Sequence, residues 1–196
     1  MKFLIGAAIV LVFGEARLAA EERRVVTVCM NTGGQHQSHF YVARGLADKI
    51  LGQAGVDLEW RKNEEPCAGL RNSLIIKISN AQANSFPGAL AYTDLRRHQI
   101  EVFQDRVILA ANGNGQIPAV LGHVLAHEIV HALQGLARHS ETGLMMRRWT
   151  ISELSDMCIR PLSLDIADVS LIHRGLNRWA AENQAALMNQ NNFPPQ

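Results

Sequence analysis

The apolar residues of this chain recur with two spacings, which predict strands in its first half and helices in its second. A run of β-branched residues at 24–30 and the alternation of apolar with acidic residues at 56–60 are typical of strands. Val42, Leu46 and Ile50 recur at every fourth position, so a helix capped by Ser38 places them on one face. Strands are predicted at 24–30, 56–60, 73–79, 89–93 and 98–104. Helices are predicted from Ser38 to Gly52, at 118–135, after Thr150 and at 165–188.

This order of strands followed by helices predicts an α+β fold. Residues 21–188 are about as many as one domain of ordinary size contains, so they are predicted to form a single domain. The last eight residues, 189–196, are mostly Asn, Gln and Pro and are predicted to be a disordered tail.

The N-terminus has the pattern of an export signal. Lys2 precedes an uncharged apolar run at 3–13, and small residues follow up to Ala20. A membrane-spanning helix needs roughly 20 apolar residues, which is more than this run provides. We therefore expect residues 1–20 to be a cleaved signal peptide, the mature protein to be secreted or periplasmic, and no stable membrane span to remain.

Composition and charge exclude some classes of partner. The chain has 19 Lys plus Arg against 18 Asp plus Glu, a formal net charge of +1, so no basic surface for nucleic acid is predicted. Three cysteines are too few for a disulfide-built scaffold. In an oxidising compartment Cys29 and Cys67 could pair and leave Cys158 free, but the odd count fixes no connectivity. The sequence does not indicate which oligomeric state the protein has.

The sequence H-E-I-V-H, at 127–131, lies in the middle of the predicted helix at 118–135. Residues four apart on a helix share one face, about 5–6 Å apart at Cβ, so His127 and His131 can reach one zinc ion. Glu128 is adjacent to the first ligand and can act as a general base. It would take a proton from a zinc-bound water as that water attacks a carbonyl.

Catalytic zinc has three protein ligands and one open position, so a third ligand is expected. His139 is the preferred candidate, because Gly135 ends the helix and a short reversal can return the chain to the metal. His123 lies on the same helical face, but ligands at i, i+4 and i+8 span about 12 Å, too far for one ion. Glu153 could supply a carboxylate from a following helix, although a capping box with Thr150 is its simpler role.

The stretch at 127–145 resembles the active-site region of the metzincin zinc peptidases, whose pattern is H-E-x-x-H-x-x-G-x-x-H followed by a methionine in a tight turn. The wider segment at 121–149 is similar to small, predicted bacterial zinc peptidases that are exported. The matching residues are His127, His131 and His139 as ligands, Glu128 as the base, Gly135 at the turn and Met145 as the turn methionine, with Met146 as the alternative. The chain departs from the pattern in two respects. The third histidine lies eight positions after the second instead of six, and the glycine lies one position late.

The resemblance implies a zincin domain with a twisted mixed sheet, an active-site helix and a mainly helical C-terminal part. It further implies an exported zinc endopeptidase that binds peptide or protein substrates along an edge strand, placed at about 88–93. Two alternatives stay open. One is a non-catalytic zinc-binding or interaction domain that keeps the ligands, and the other is a His-His-Glu zinc peptidase with Glu153 as the third ligand.

Overall fold

The computed structural model describes residues 23–33, 37–63, 65–68, 70, 72–82 and 86–192. The predicted signal peptide at 1–20 lies outside these residues, as do residues 193–196 of the predicted tail. Within the described part of the chain, no helix is long and apolar enough to cross a membrane.

Five strands form one sheet, and its edge strand runs against the others. The strands are β1 (Arg24–Asn31), β2 (Val56–Lys62), β3 (Ser73–Ser79), β4 (Ala91–Asp94) and β5 (Gln99–Phe103). Their order across the sheet is β2-β1-β3-β5-β4. Strands β2, β1, β3 and β5 are mutually parallel, whereas β4 pairs antiparallel with β5 at one edge. The predicted mixed sheet is therefore confirmed.

The described part of the chain contains five α-helices, and four of them were expected. They are α1 (Gln37–Gly52), α2 (Gln104–Ala110), α3 (Ile117–Gln134), α4 (Ile151–Asp156) and α5 (Ile166–Asn192). The unexpected helix is α2, which has seven residues and buries only Val107, so its sequence carries no helical periodicity. The last helix, α5, continues to Asn192 and so extends over 189–192 of the predicted tail. Extending a helix that already exists adds one hydrogen bond per residue.

The helix that carries the H-E-x-x-H sequence, α3, lies inside the protein. Every residue from Val120 to Gln134 is buried, because α3 contacts α1, α5 and the strands β4 and β5. The approach to α1 is close at Gly122, where a Cβ atom would lie 2.9 Å from the main-chain oxygen of Ala43. Pro118 lies in the first turn of α3, and Gly135 ends the helix with a left-handed φ of 65°.

One disulfide joins the sheet to the segment that precedes β3. Cys29 of β1 is bonded to Cys67 with a Cα–Cα distance of 5.9 Å, while Cys158 is free and exposed. Of the pairings that the sequence left open, the structure has this one.

Candidate metal centre

Three histidine side chains meet at the C-terminal half of α3. His127 and His131 are buried, His139 is partly buried, and one ring nitrogen of each lies within 4.8 Å of the others. The Nε2 atoms of His127 and His131 are 3.0 Å apart. Two ligands at about 2.0–2.1 Å from a tetrahedral ion would be roughly 3.3 Å apart, so this separation suits one shared ion.

The outer nitrogen of each helical histidine is bound to a carbonyl oxygen. Nδ1 of His127 lies 2.9 Å from the oxygen of Leu144, and Nδ1 of His131 lies 2.9 Å from the oxygen of Leu136. A carbonyl can only accept, so each Nδ1 carries the proton and donates it. Both Nε2 atoms are left with a free lone pair, which is the arrangement that orients histidines towards a metal.

Burial keeps these rings uncharged. Loss of solvation lowers the pKa of His127 to about 3 and the pKa of His131 to about 4. Burial also lowers the pKa of His139, and the positive charge of Arg147 adds to this effect. Neutral imidazole is the form that binds metal ions, so the cluster is suited to hold a cation.

A reversal after α3 brings the third histidine to the other two. Gly135 donates its N–H to the oxygens of His131 and Ala132, and Leu136 donates to His131 as well. The ring of His139 then lies 4.8 Å from the ring of His131, between centroids. Of the two additional residues in this spacing, one lies before Gly135, in the last turn of α3, and one lies in the loop after it.

The two alternative ligands are engaged elsewhere. Glu153 and Thr150 form the predicted capping box of α4, in which the carboxylate accepts the Thr150 N–H at 2.8 Å. His123 is fully buried, and its Nδ1 donates to the oxygen of Ala119 at 2.8 Å. Its Nε2 accepts the N–H of Leu162 at 3.0 Å, so this histidine fastens the segment before α5 to α3.

Met145 lies in a tight turn that is bound to the first histidine. The turn contains Gly143, whose φ is 75°, and Met145 is fully buried in the core. Leu144, the residue between them, supplies the carbonyl that accepts from His127. The alternative methionine, Met146, instead lines the cleft beside the histidines.

The carboxyl of Glu128 is almost completely buried next to the cluster. The hydroxyl of Thr93, in the edge strand β4, lies 2.5 Å from one of its oxygens. Burial raises the pKa of Glu128 to about 7, against the lowering effect of this hydroxyl. Sequence reasoning missed Thr93, because a threonine inside a strand is common and nothing in its neighbourhood points to a partner 35 positions away.

The cluster and Glu128 open into one cleft of about 620 Å³. The cleft is lined by β4 and the residues before it, from Pro87 to Thr93, and also by Arg147, Arg148 and Trp149. Among the described residues that line this cleft, Glu128 is the one carboxylate. The three histidines, one carboxylate and the edge strand β4 thus share one space.

Among solved structures, this chain is similar to the crystal structure of archaemetzincin from Methanopyrus kandleri. The TM-score is 0.53, the sequence identity is 12%, and the match covers 82% of this chain and 99% of that chain. The two proteins share a fold. No family model and no curated protein matches the sequence.

Proposed function

We propose that this protein is an exported zinc-dependent endopeptidase in which His127, His131 and His139 bind the ion and Glu128 is the general base. The observation that carries the proposal is the single cleft in which three neutral imidazoles and one carboxylate lie beside an edge strand. The resemblance of the sequence at 127–145 to metzincins and the fold shared with archaemetzincin both support it.

The donor set is that of a catalytic zinc site, with three imidazoles and room for a fourth ligand in an open cleft. When bound, zinc lowers the pKa of water and polarises the scissile carbonyl. Glu128 accepts the proton of the attacking water at its carboxylate and delivers it to the leaving nitrogen. Thr93 orients this carboxylate through its hydroxyl. In the turn at Met145, the Leu144 carbonyl accepts a hydrogen bond from His127 and so orients its ring.

The substrate is a peptide or protein segment in extended conformation. Such a segment adds to the free edge of β4, where main-chain groups provide hydrogen bonds whatever the sequence. Gly88 and Ala89 precede this strand at the rim of the cleft, and their small size lets a peptide backbone approach closely.

Export is supported by two independent features. Residues 1–20 have the charge and apolar pattern of a signal peptide. The disulfide between Cys29 and Cys67 is of a kind that persists in oxidising compartments, such as the periplasm or the extracellular space. Expression with the natural N-terminus, followed by fractionation and mass determination of the mature chain, tests this part of the proposal.

The peptidase proposal is tested with a purified mature chain and Glu128→Gln as the variant. We expect about one zinc per chain in both proteins, and cleavage of a denatured protein substrate by the wild type alone. Proton transfer by a positioned group typically accelerates a reaction by about 10²–10⁴-fold, so the cleavage rate of the variant should fall by a factor in that range. Adding a chelator should abolish cleavage. Removing the chelator and then adding zinc should restore it.

Two results would contradict this assignment. Loss of zinc in Glu128→Gln would make Glu128 a ligand instead of a base. Zinc binding without cleavage of any peptide, unfolded protein or casein by the wild type would favour the non-catalytic alternative. His127→Ala is the control that shows whether the measured zinc occupies this cluster.

A further inference from the structure

Asp168 is a buried carboxylate that the proposed peptidase chemistry does not use. It lies in the first turn of α5 and exposes only 1% of its surface. Its Oδ1 accepts from the Arg138 guanidinium at 2.6 Å and from the Gln134 amide at 3.3 Å, and its Oδ2 accepts from the Ser140 hydroxyl at 2.7 Å. A buried charge is costly unless it is paired, so these contacts explain why it persists inside the protein.

The donors to Asp168 bracket the third histidine in sequence. Arg138 and Ser140 are the immediate neighbours of His139, and Gln134 is the last residue of α3. Among the described residues, no main-chain hydrogen bond is made by positions 137–139, whereas Ser140 donates its N–H to Met145 at 2.8 Å. The segment that carries His139 therefore depends on side-chain contacts, and two of those contacts end on one carboxylate.

Other contacts hold α5 against α3 independently of this carboxylate. The guanidinium of Arg178 donates to the oxygen of Gln134 at 2.8 Å. Gly175 lies so close to α3 that no side chain fits between the two helices. Removing the Asp168 carboxylate should therefore release the loop around His139 more than it displaces α5.

We propose that Asp168 is a positioning residue that holds His139 at the metal site by binding the residues on both sides of it. The inference rests on the proposed function, in which His139 is the third zinc ligand. Groups that fix metal ligands from outside the coordination shell typically change metal affinity by about 10–100-fold when they are mutated. Asp168 acts one step further out, because it binds the chain around the ligand instead of the ring itself.

The first experiment compares zinc dissociation constants, measured by competition with a chromophoric chelator. We expect Asp168→Ala to weaken zinc binding by about tenfold, the lower end of this range, because Asp168 binds the neighbours of the ligand and not its ring. Asp168→Asn keeps one acceptor oxygen and should give a smaller loss. The control is Asp48→Ala, which removes a partly buried carboxylate that accepts a hydrogen bond from the Trp60 indole at 2.7 Å. Trp60 belongs to β2, at the far edge of the sheet from β4, so this control should lose stability and keep its zinc affinity.

The second experiment separates positioning from a general loss of stability. Cobalt(II) in place of zinc gives a visible spectrum that reports the ligand set. We expect the spectrum of Asp168→Ala to move towards that of His139→Ala, while Asp48→Ala keeps the wild-type spectrum. If Asp168→Ala does not fold, Asp168→Asn and Ser140→Ala carry the test, since each retains part of the network and should weaken zinc binding more than the control does.

The outcomes distinguish this inference from the proposed function. Wild-type affinity and a wild-type cobalt spectrum in the folded Asp168 variants would overturn the positioning role and leave the zinc site intact. Equal zinc binding by the wild type and by His127→Ala would instead overturn the proposed function, and the inference with it.

Discussion

Gly175→Ala tests the close contact between α5 and α3. An added Cβ atom would lie 1.7 Å from the main-chain oxygen of Leu133, 2.8 Å from its carbonyl carbon and 3.3 Å from the Cα of Gln134. All three atoms belong to the backbone of α3, so no side chain can rotate to make room. The N-terminal part of α5 would have to move away from the end of α3.

The expected cost follows from two opposing effects. Overpacking typically costs about 1–3 kcal/mol, and a contact with rigid backbone belongs at the upper end of that range. Alanine in a helix interior is favoured over glycine by about 1 kcal/mol, which offsets part of the cost. We therefore expect Gly175→Ala to lower the free energy of unfolding by about 2 kcal/mol.

The matched control is Gly45→Ala in α1, where an added Cβ atom meets nothing within 4 Å. With no clash, only the helix preference remains, and we expect a gain of about 1 kcal/mol. Urea denaturation followed by circular dichroism measures both variants. Equal or greater stability of Gly175→Ala relative to wild type would refute the close contact between α5 and α3. Because that contact brings α5 to the loop at His139, the destabilised variant should also bind zinc more weakly.

Three further comparisons test other parts of the structure. His139→Ala should weaken zinc binding far more than Glu153→Ala, which removes only a helix cap; zinc titration would contradict the ligand assignment if the order were reversed. Cys67→Ser opens a disulfide with a sequence separation of 38 and should lower the free energy of unfolding by about 4 kcal/mol by chain entropy, whereas Cys158→Ser should leave it unchanged in urea denaturation. His123→Leu leaves a buried N–H without its acceptor and should cost about 2 kcal/mol, while metal analysis should find the zinc stoichiometry unchanged.

Local patterns in the sequence account for most of the fold. The strand at 73–79 has its predicted bounds, and α3 and its glycine end lie within one residue of prediction. These elements carry strong signals, since one is a β-branched run and the other begins with Pro118 and ends at Gly135. The helix α2 was missed because seven residues make fewer than two turns, too few for a period of 3.6 to be recognised.

In the candidate site, too, residues with local signals in the sequence were predictable and residues with distant partners were not. His127, Glu128 and His131 were predictable because helical geometry alone fixes how residues one and four positions apart are arranged. Thr93 and Asp168 were not, since the partner of Thr93 lies 35 positions away and the partners of Asp168 lie 28–34 positions away. Asp168 carried a misleading signal as well, because an acidic residue in the first turn of a helix is favoured by the helix dipole and needs no other explanation.

The proposed metal site depends both on local contacts within α3 and on contacts between residues far apart in the sequence. The spacing of the first two proposed ligands is fixed by the hydrogen bonds within α3. The third ligand lies on a loop without main-chain hydrogen bonds at 137–139 among the described residues, and its neighbours are held by α5. Zinc affinity should therefore respond to mutations in α5, although that helix contributes no ligand. Helix α5 then has a definite role in the proposed activity, which is to hold the loop that supplies the third proposed ligand.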